Sequence, residues 1–222
     1  MIGVSEIKKE IPDTNPERSV PGTETKRLLH LGCFDTPVEG WVNTDITPHI
    51  WVARIPMAAS ALYFSGKLSS QRFAQHKSGI FRRVTYLNVA KKFPYRSDSF
   101  RAIFTCHMLE HLYPSVADHC IRECQRVLCR GGVLRIVVPD LDKLIRSYDP
   151  AEPDVCLQSI FQDGKGMEKN SHHWHYNYNS LKTLLLSLGF SRVERCEFQV
   201  GMCPDIEKLD NRPESLFVEA YK

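Results

Sequence analysis

The sequence predicts one α/β domain on a doubly wound, seven-stranded, mostly parallel sheet, with the last strand antiparallel and helices on both faces. Three observations carry that expectation. Short apolar runs at 28–31, 41–44, 84–89, 102–106 and 133–138 are too short for helices and too continuously apolar for strands with a wet face. Several of them end at a polar or glycine residue of the kind that meets ligands. The later runs are separated by stretches with apolar residues at helical spacing and with capping residues. At 222 residues and 42% hydrophobic content, the chain suits a single core of ordinary size.

Residues 1–26 are polar, carry Pro12, Pro16 and Pro21, and show no steady period, so they are expected to form a loosely held arm before a domain at 27–222. The first strand, Leu28, Leu29 and Leu31, stops at Gly32; the second, Trp41 to Thr44, stops at Asp45. In an open α/β sheet the crevice lies beyond the carboxyl ends of the strands. A glycine there lets backbone approach a ligand, and an acid after the second strand can take both hydroxyls of a ribose. A dinucleotide fingerprint wants three glycines opening a full helix and an acid about 20 residues on. Here Asp45 lies thirteen positions after Gly32, with Pro37 and Gly40 between, and no regular helix fits.

This stretch resembles motif I of the class I S-adenosylmethionine (SAM) dependent methyltransferases, in the branch reading Leu-Gly-Cys-Gly, five residues, Gly-Trp, then x-Asn-x-Asp. The matches are Leu31-Gly32-Cys33, Gly40-Trp41, Asn43 and Asp45. Phe34 departs from it, standing where the family has glycine; its side chain projects at the cofactor unless the loop turns it away. The resemblance implies a Rossmann-like fold with SAM as cofactor, Gly32, Cys33 and Phe34 near its methionine part, Asp45 and Ile46 at the ribose, and Asn88 and Val89 at the adenine. Cys106 and His107 end the fourth strand beside the methyl group. The alternative, prompted by Phe34, is a methyltransferase-like binding or assembly protein that has lost the cofactor.

Between Ile46 and Arg83 the chain uses far more residues than one crossover helix needs. The plain reading is one or two helices packed on the sheet; the alternatives are a lid over the active site, a homodimer surface or an interfacial membrane helix. Val84 to Val89 reads as the third strand, and Ala102 to Cys106 as the fourth. The fourth delivers His107-Met-Leu-Glu110-His111-Leu112, which resembles the family's "hvLEHL" element. Ser115 with Asp118 reads as a capped helix start and Gly131-Gly132 as its end. Val133 to Asp140 is the fifth strand and also resembles the family pattern. A helical stretch through Tyr148 follows, then the aromatic and histidine-rich 171–178 and a helix capped by Asn179 with a Leu181, Leu184, Leu185, Leu188 stripe. Residues 192–200 and 215–221 alternate as the last two strands.

Net charge is +3 and the basic residues are scattered apart from Arg82-Arg83 and Lys91-Lys92, so no nucleic-acid partner is expected. Eight cysteines without a C-x-x-C pair read as buried reduced thiols, hence a cytoplasmic protein; no signal-length apolar core or spanning run of about 18 residues occurs. Methyl transfer to an alcohol or amine needs alignment and a base. His107 is the first candidate by its strand-end position; His172, His173 and His175 are second. Some small-RNA and quinone-biosynthesis O-methyltransferases hold a divalent metal through Glu-x-x-Glu-His at this place. Here His107 replaces the first carboxylate, and no metal is expected. The resemblance, with its association with surface-polysaccharide pathways, implies O-methylation of a small or glycan-like acceptor.

Overall fold

The computed structural model describes residues 27–161 and 171–222; the expected arm at 1–26 lies outside the described residues. Among these, β1 (Arg27–Leu31), β2 (Trp41–Asp45), β3 (Thr85–Tyr86), β4 (Phe100–Cys106), β5 (Leu128–Val138), β6 (Arg192–Cys196) and β7 (Leu216–Tyr221) form one sheet. The order is β3-β2-β1-β4-β5-β7-β6. All pairs from β3 to β5 are parallel, and β7 runs antiparallel to both neighbours. No regular helix joins β1 to β2, as the spacing requires. The order reverses between β1 and β4, so the crevice opens past Leu31 and Cys106.

Period-two alternation divides the sheet into two buried faces. Leu29, Leu31, Ile103, Leu134, Ile136 and Val218 face α4 (Pro114–Val127) and α7 (Tyr178–Ser187), whose Ile121, Cys124, Leu181 and Leu185 are buried against them. Fully burying each such side chain is worth roughly 1.5–3 kcal/mol. Leu28, Ala102, Phe104, Val137 and Phe217 line the other face, covered by Cys203 and Leu209 from the β6–β7 crossover, which holds α8 (Ile206–Leu209). Arg135 of β5 points into this second face, fully buried. It makes a bidentate pair with Asp210 (2.6 and 3.0 Å) and a further one with Glu219 (3.1 Å). It also donates to the carbonyls of Glu197 and Val200, which ties the crossover to the sheet.

Several local expectations are corrected. α4 starts with Pro114 at its first position and has no side-chain cap, so Ser115 lies inside the helix; the fixed φ of proline sets the start. Gly131-Gly132 does not end α4, which stops at Val127. The β4–β5 register jumps from Phe100↔Leu128 to Ala102↔Val133, leaving the glycines in a bulge. A Cβ on Gly132 would lie 2.9 Å from the carbonyl oxygens of Arg101 and Cys129. The cap of α7 is Asn177, not Asn179: Asn177 Oδ1 accepts the Ser180 N–H (2.9 Å) while Ser180 Oγ accepts the Asn177 N–H (3.1 Å). β3 shrinks to two residues, although Val84, Leu87 and Val89 around it are buried. β6 stops at Cys196, short of Val200, and Gln199 turns the chain at φ 57°. The helix expected through Tyr148 is α5 (Leu141–Arg146), followed by α6 (Pro153–Phe161). The 46–83 segment forms three short helices, α1 (His49–Val52), α2 (Ala58–Phe64) and α3 (Ser70–Lys77), and a 3₁₀ turn at Ile80–Arg83. All eight cysteines are free thiols, six of them buried.

Candidate active site

The loop after β1 is shaped by backbone conformations that few residues tolerate. Gly32 sits at φ 67°, and a Cβ there would come within 3.0 Å of the Met108 side chain that packs over it. Phe34 has φ 43°, a left-handed conformation that costs a non-glycine residue energy and is sustained by its surroundings. Its N–H donates to Asp45 Oδ2 (3.0 Å), and Asp45 Oδ1 accepts from Thr47 (2.7 Å). Burial raises the Asp45 pKa above the usual carboxylate value, these backbone bonds opposing it. The Phe34 ring lies against the 46–83 segment, 6.3 Å from His49 and 6.2 Å from Phe81, with the Arg72 guanidinium 4.4 Å from its centre. Arg72 is held in turn by Asp35. The side chain that replaces the family glycine is therefore gripped by the insertion.

Past the ends of β1 and β4 lies a cavity of about 250 Å³. Gly32, Cys33, Phe34, Cys106 and His107 border it, as does Asp35. His30 and Phe104 form part of its wall, and Lys208, Leu209, Asn211 and Arg212 of the crossover close it. Sequence reasoning missed these last six; a polar run between two strands carries no signal of where it folds back. Asp45 is one hydrogen bond away, through Phe34. Ile46 is largely exposed, Asn88 accepts the N–H of Ala90 (2.9 Å) in a turn, and Val89 packs in the main core; none of the three borders the cavity. Nor do residues 46–83 or 172–178, so the second-choice bases His172, His173 and His175 stand away from the cavity.

His107, also at positive φ (49°), is clamped at both nitrogens: Nδ1 lies 3.1 Å from Glu110 Oε1 and Nε2 2.8 Å from Ser215 Oγ. A carboxylate at Nδ1 fixes the proton there and leaves Nε2 as acceptor. Burial pushes the Cys106 thiol up to about 12 and the Cys33 thiol higher still, so both stay protonated and neither is a nucleophile.

The arrangement has the strand order and strand-end loops of a nucleoside-binding transferase, and residues 64–136 match the family described as a methyltransferase domain. That match covers part of the chain, and the sheet that completes it has the fold of SAM-dependent methyltransferases. The fold has a solved counterpart. A SAM-dependent methyltransferase from Archaeoglobus fulgidus superposes with a TM-score of 0.51 at 15% identity, over 89% of this chain and 86% of that one. One from Thermotoga maritima gives 0.49 at 13% identity, over 88% and 82%. No curated protein matches the sequence.

SAM is the cofactor of such a domain, and Gly32, at φ 67° on the cavity rim, fits close approach of a ligand to backbone. Beside His107 the protein holds a second group of titratable residues. Glu110 is fully buried; its Oε1 faces His107 Nδ1, and its Oε2 has no hydrogen-bond partner among the described residues. Donor atoms of Glu110, His111 and His172 all lie within 4.8 Å of one another. The segment carrying His172 is joined there by backbone: His173 and Trp174 N–H donate to the Glu110 carbonyl (2.7 and 3.2 Å). Burial lowers the His172 pKa to about 4, so its imidazole stays neutral, and among the described residues neither ring nitrogen has a hydrogen-bond partner. His175 is engaged with the Ile160 carbonyl, and His173 stacks on Tyr113 (4.2 Å). This nitrogen and oxygen donor set suits a divalent transition cation.

Proposed function

We propose that the protein O-methylates a small or glycan-like hydroxyl acceptor held in the cavity, with His107 as the base. The observation that carries the proposal is His107 at the cavity wall, its Nδ1 against buried Glu110 and its Nε2 turned to Ser215. SAM supplies the methyl group on a sulfonium. With SAM bound, the cavity would align an acceptor hydroxyl with that methyl group, and His107 Nε2, kept in the accepting tautomer by Glu110, would take the hydroxyl proton. Asn211, Arg212 and Lys208 give the cavity hydrogen-bonding groups next to the apolar Phe104, suited to a hydroxylated acceptor. The reading in which the cofactor is lost is less favoured, because the Phe34 ring is gripped by Arg72, His49 and Phe81. Release of S-adenosylhomocysteine from a panel of nucleotide sugars, glycans, quinones and peptides tests the proposal. His107→Ala is expected to lower turnover of the true acceptor by about 10²–10⁴-fold. Unchanged turnover would remove His107 as the base, and label on RNA or protein would overturn the acceptor class.

A second reading adds a divalent cation at Glu110, His111 and His172, favoured by the buried Glu110 Oε2, which has no hydrogen-bond partner among the described residues. Purified protein soaked in Zn²⁺ or Co²⁺ and then desalted should retain about one ion per chain, with Co²⁺ giving visible absorption. Glu110→Gln and His172→Ala should each abolish retention. Equal retention in both variants would sink it.

A further inference from the structure

We infer that the face built by residues 46–83 docks on the surface of an anionic lipid bilayer. The stretch carries Arg54, Lys67, Arg72, Lys77, Arg82 and Arg83 and no Asp or Glu, so the chain's net +3 divides into +6 here and −3 elsewhere. Arg72 is answered by Asp35. Among the described residues the other five have no carboxylate within ion-pair distance.

The same segment exposes apolar side chains that a soluble surface normally covers. α2 reads Ala-Ala-Ser-Ala-Leu-Tyr-Phe, yet none of its residues is buried. Met57 before it is 82% exposed and Phe64 at its end 83%, and Trp51 and Ile55 are more than half exposed. A groove of about 170 Å³ brings Ile55, Met57 and Phe73 together with Lys77 and Arg82, so apolar and cationic groups share one surface.

That combination has a specific physical reading. Lys and Arg are drawn to the negative potential of anionic lipid within a Debye length, while Trp, Phe, Met and Ile tips gain by entering the boundary between headgroups and acyl chains. Nucleic acid would satisfy the cations but leave Ile55, Met57 and Phe64 in water. No spanning is implied, since no helix among the described residues is long and apolar enough to cross a membrane. Docking would act close to the active site, because Arg72 and Phe81 of this segment hold the Phe34 ring.

The experiment uses the full chain and vesicles of phosphatidylcholine, with or without about one third phosphatidylglycerol. The protein should sediment with the anionic vesicles and not with the neutral ones, and added salt should release it. Met57→Ser with Phe64→Ser, and separately Arg82→Glu with Arg83→Glu, should each weaken partition by about tenfold or more, with circular dichroism unchanged because the positions are at the surface. Emission from Trp51 should shift to the blue on binding, and Trp51→Phe should remove that shift. Absence of binding, equal binding to both vesicle types, insensitivity to either double variant, or preferential binding of a single-stranded RNA oligonucleotide would overturn the inference.

Discussion

Arg135→Ala is expected to lower stability by about 3–5 kcal/mol, the cost of breaking a buried ion pair by removing one partner. The guanidinium is wholly buried, and so are the carboxylates of Asp210 and Glu219 that it joins. Removing it leaves two buried negative charges, only partly compensated by other donors. Glu219 keeps the N–H groups of Met202 and Cys203 and the Tyr221 hydroxyl, and Asp210 keeps the Gln199 N–H. A urea or thermal unfolding curve would read the loss as a fall in melting temperature on the order of 10 °C. A loss under about 1 kcal/mol would mean that water reaches the two carboxylates and that the network is not dry. The triple change Arg135→Met, Asp210→Asn, Glu219→Gln should recover part of the loss, because it removes the stranded charges rather than one partner. Activity should fall with stability, since Asp210 sits between Leu209 and Asn211, which wall the cavity.

The parallel core of this fold was readable because strands buried on both faces must be continuously apolar, and because Gly32 and Asp45 end their strands at the crevice. What escaped was decided by partners distant in sequence. Gly131-Gly132 is as good a helix stop as it is a bulge; only the Arg101 carbonyl on the neighbouring strand, with no room for a Cβ, selects the bulge. Ser115 and Pro114 are rival start signals one residue apart, and the proline geometry won. His172 meets Glu110 across 62 positions through backbone bonds to the Glu110 carbonyl, a contact that no local pattern encodes. The cavity wall at 208–212 is set by Arg135, a charge inside an apolar strand whose partners lie 75 and 84 positions away. His107 was legible from its strand-end position, but its clamp by Ser215 was not.

Asp45→Ala should weaken SAM binding by about a hundredfold or more, measured by calorimetry with SAM or S-adenosylhomocysteine. Two contributions add. Resemblance gives Asp45 the ribose hydroxyls, and each hydrogen bond to a charged group is worth roughly 1.5–3 kcal/mol. Asp45 also accepts the Phe34 N–H, so its loss frees the strained φ 43° backbone that keeps the aromatic ring on the insertion. A relaxed loop can swing that ring toward the space where the family keeps glycine. Asp45→Asn retains an acceptor for one backbone N–H and should fall between the parent and alanine. The pH dependence follows from the same carboxylate. Burial raises its pKa, so on acidification the ionised, accepting form is lost, and affinity should decline, at a higher pH than for an exposed aspartate. In Asp45→Asn that decline should vanish. Undiminished affinity in Asp45→Ala would instead remove Asp45 from the cofactor site and, with Asn88 and Val89 already away from the cavity, return Phe34 to the centre of the question.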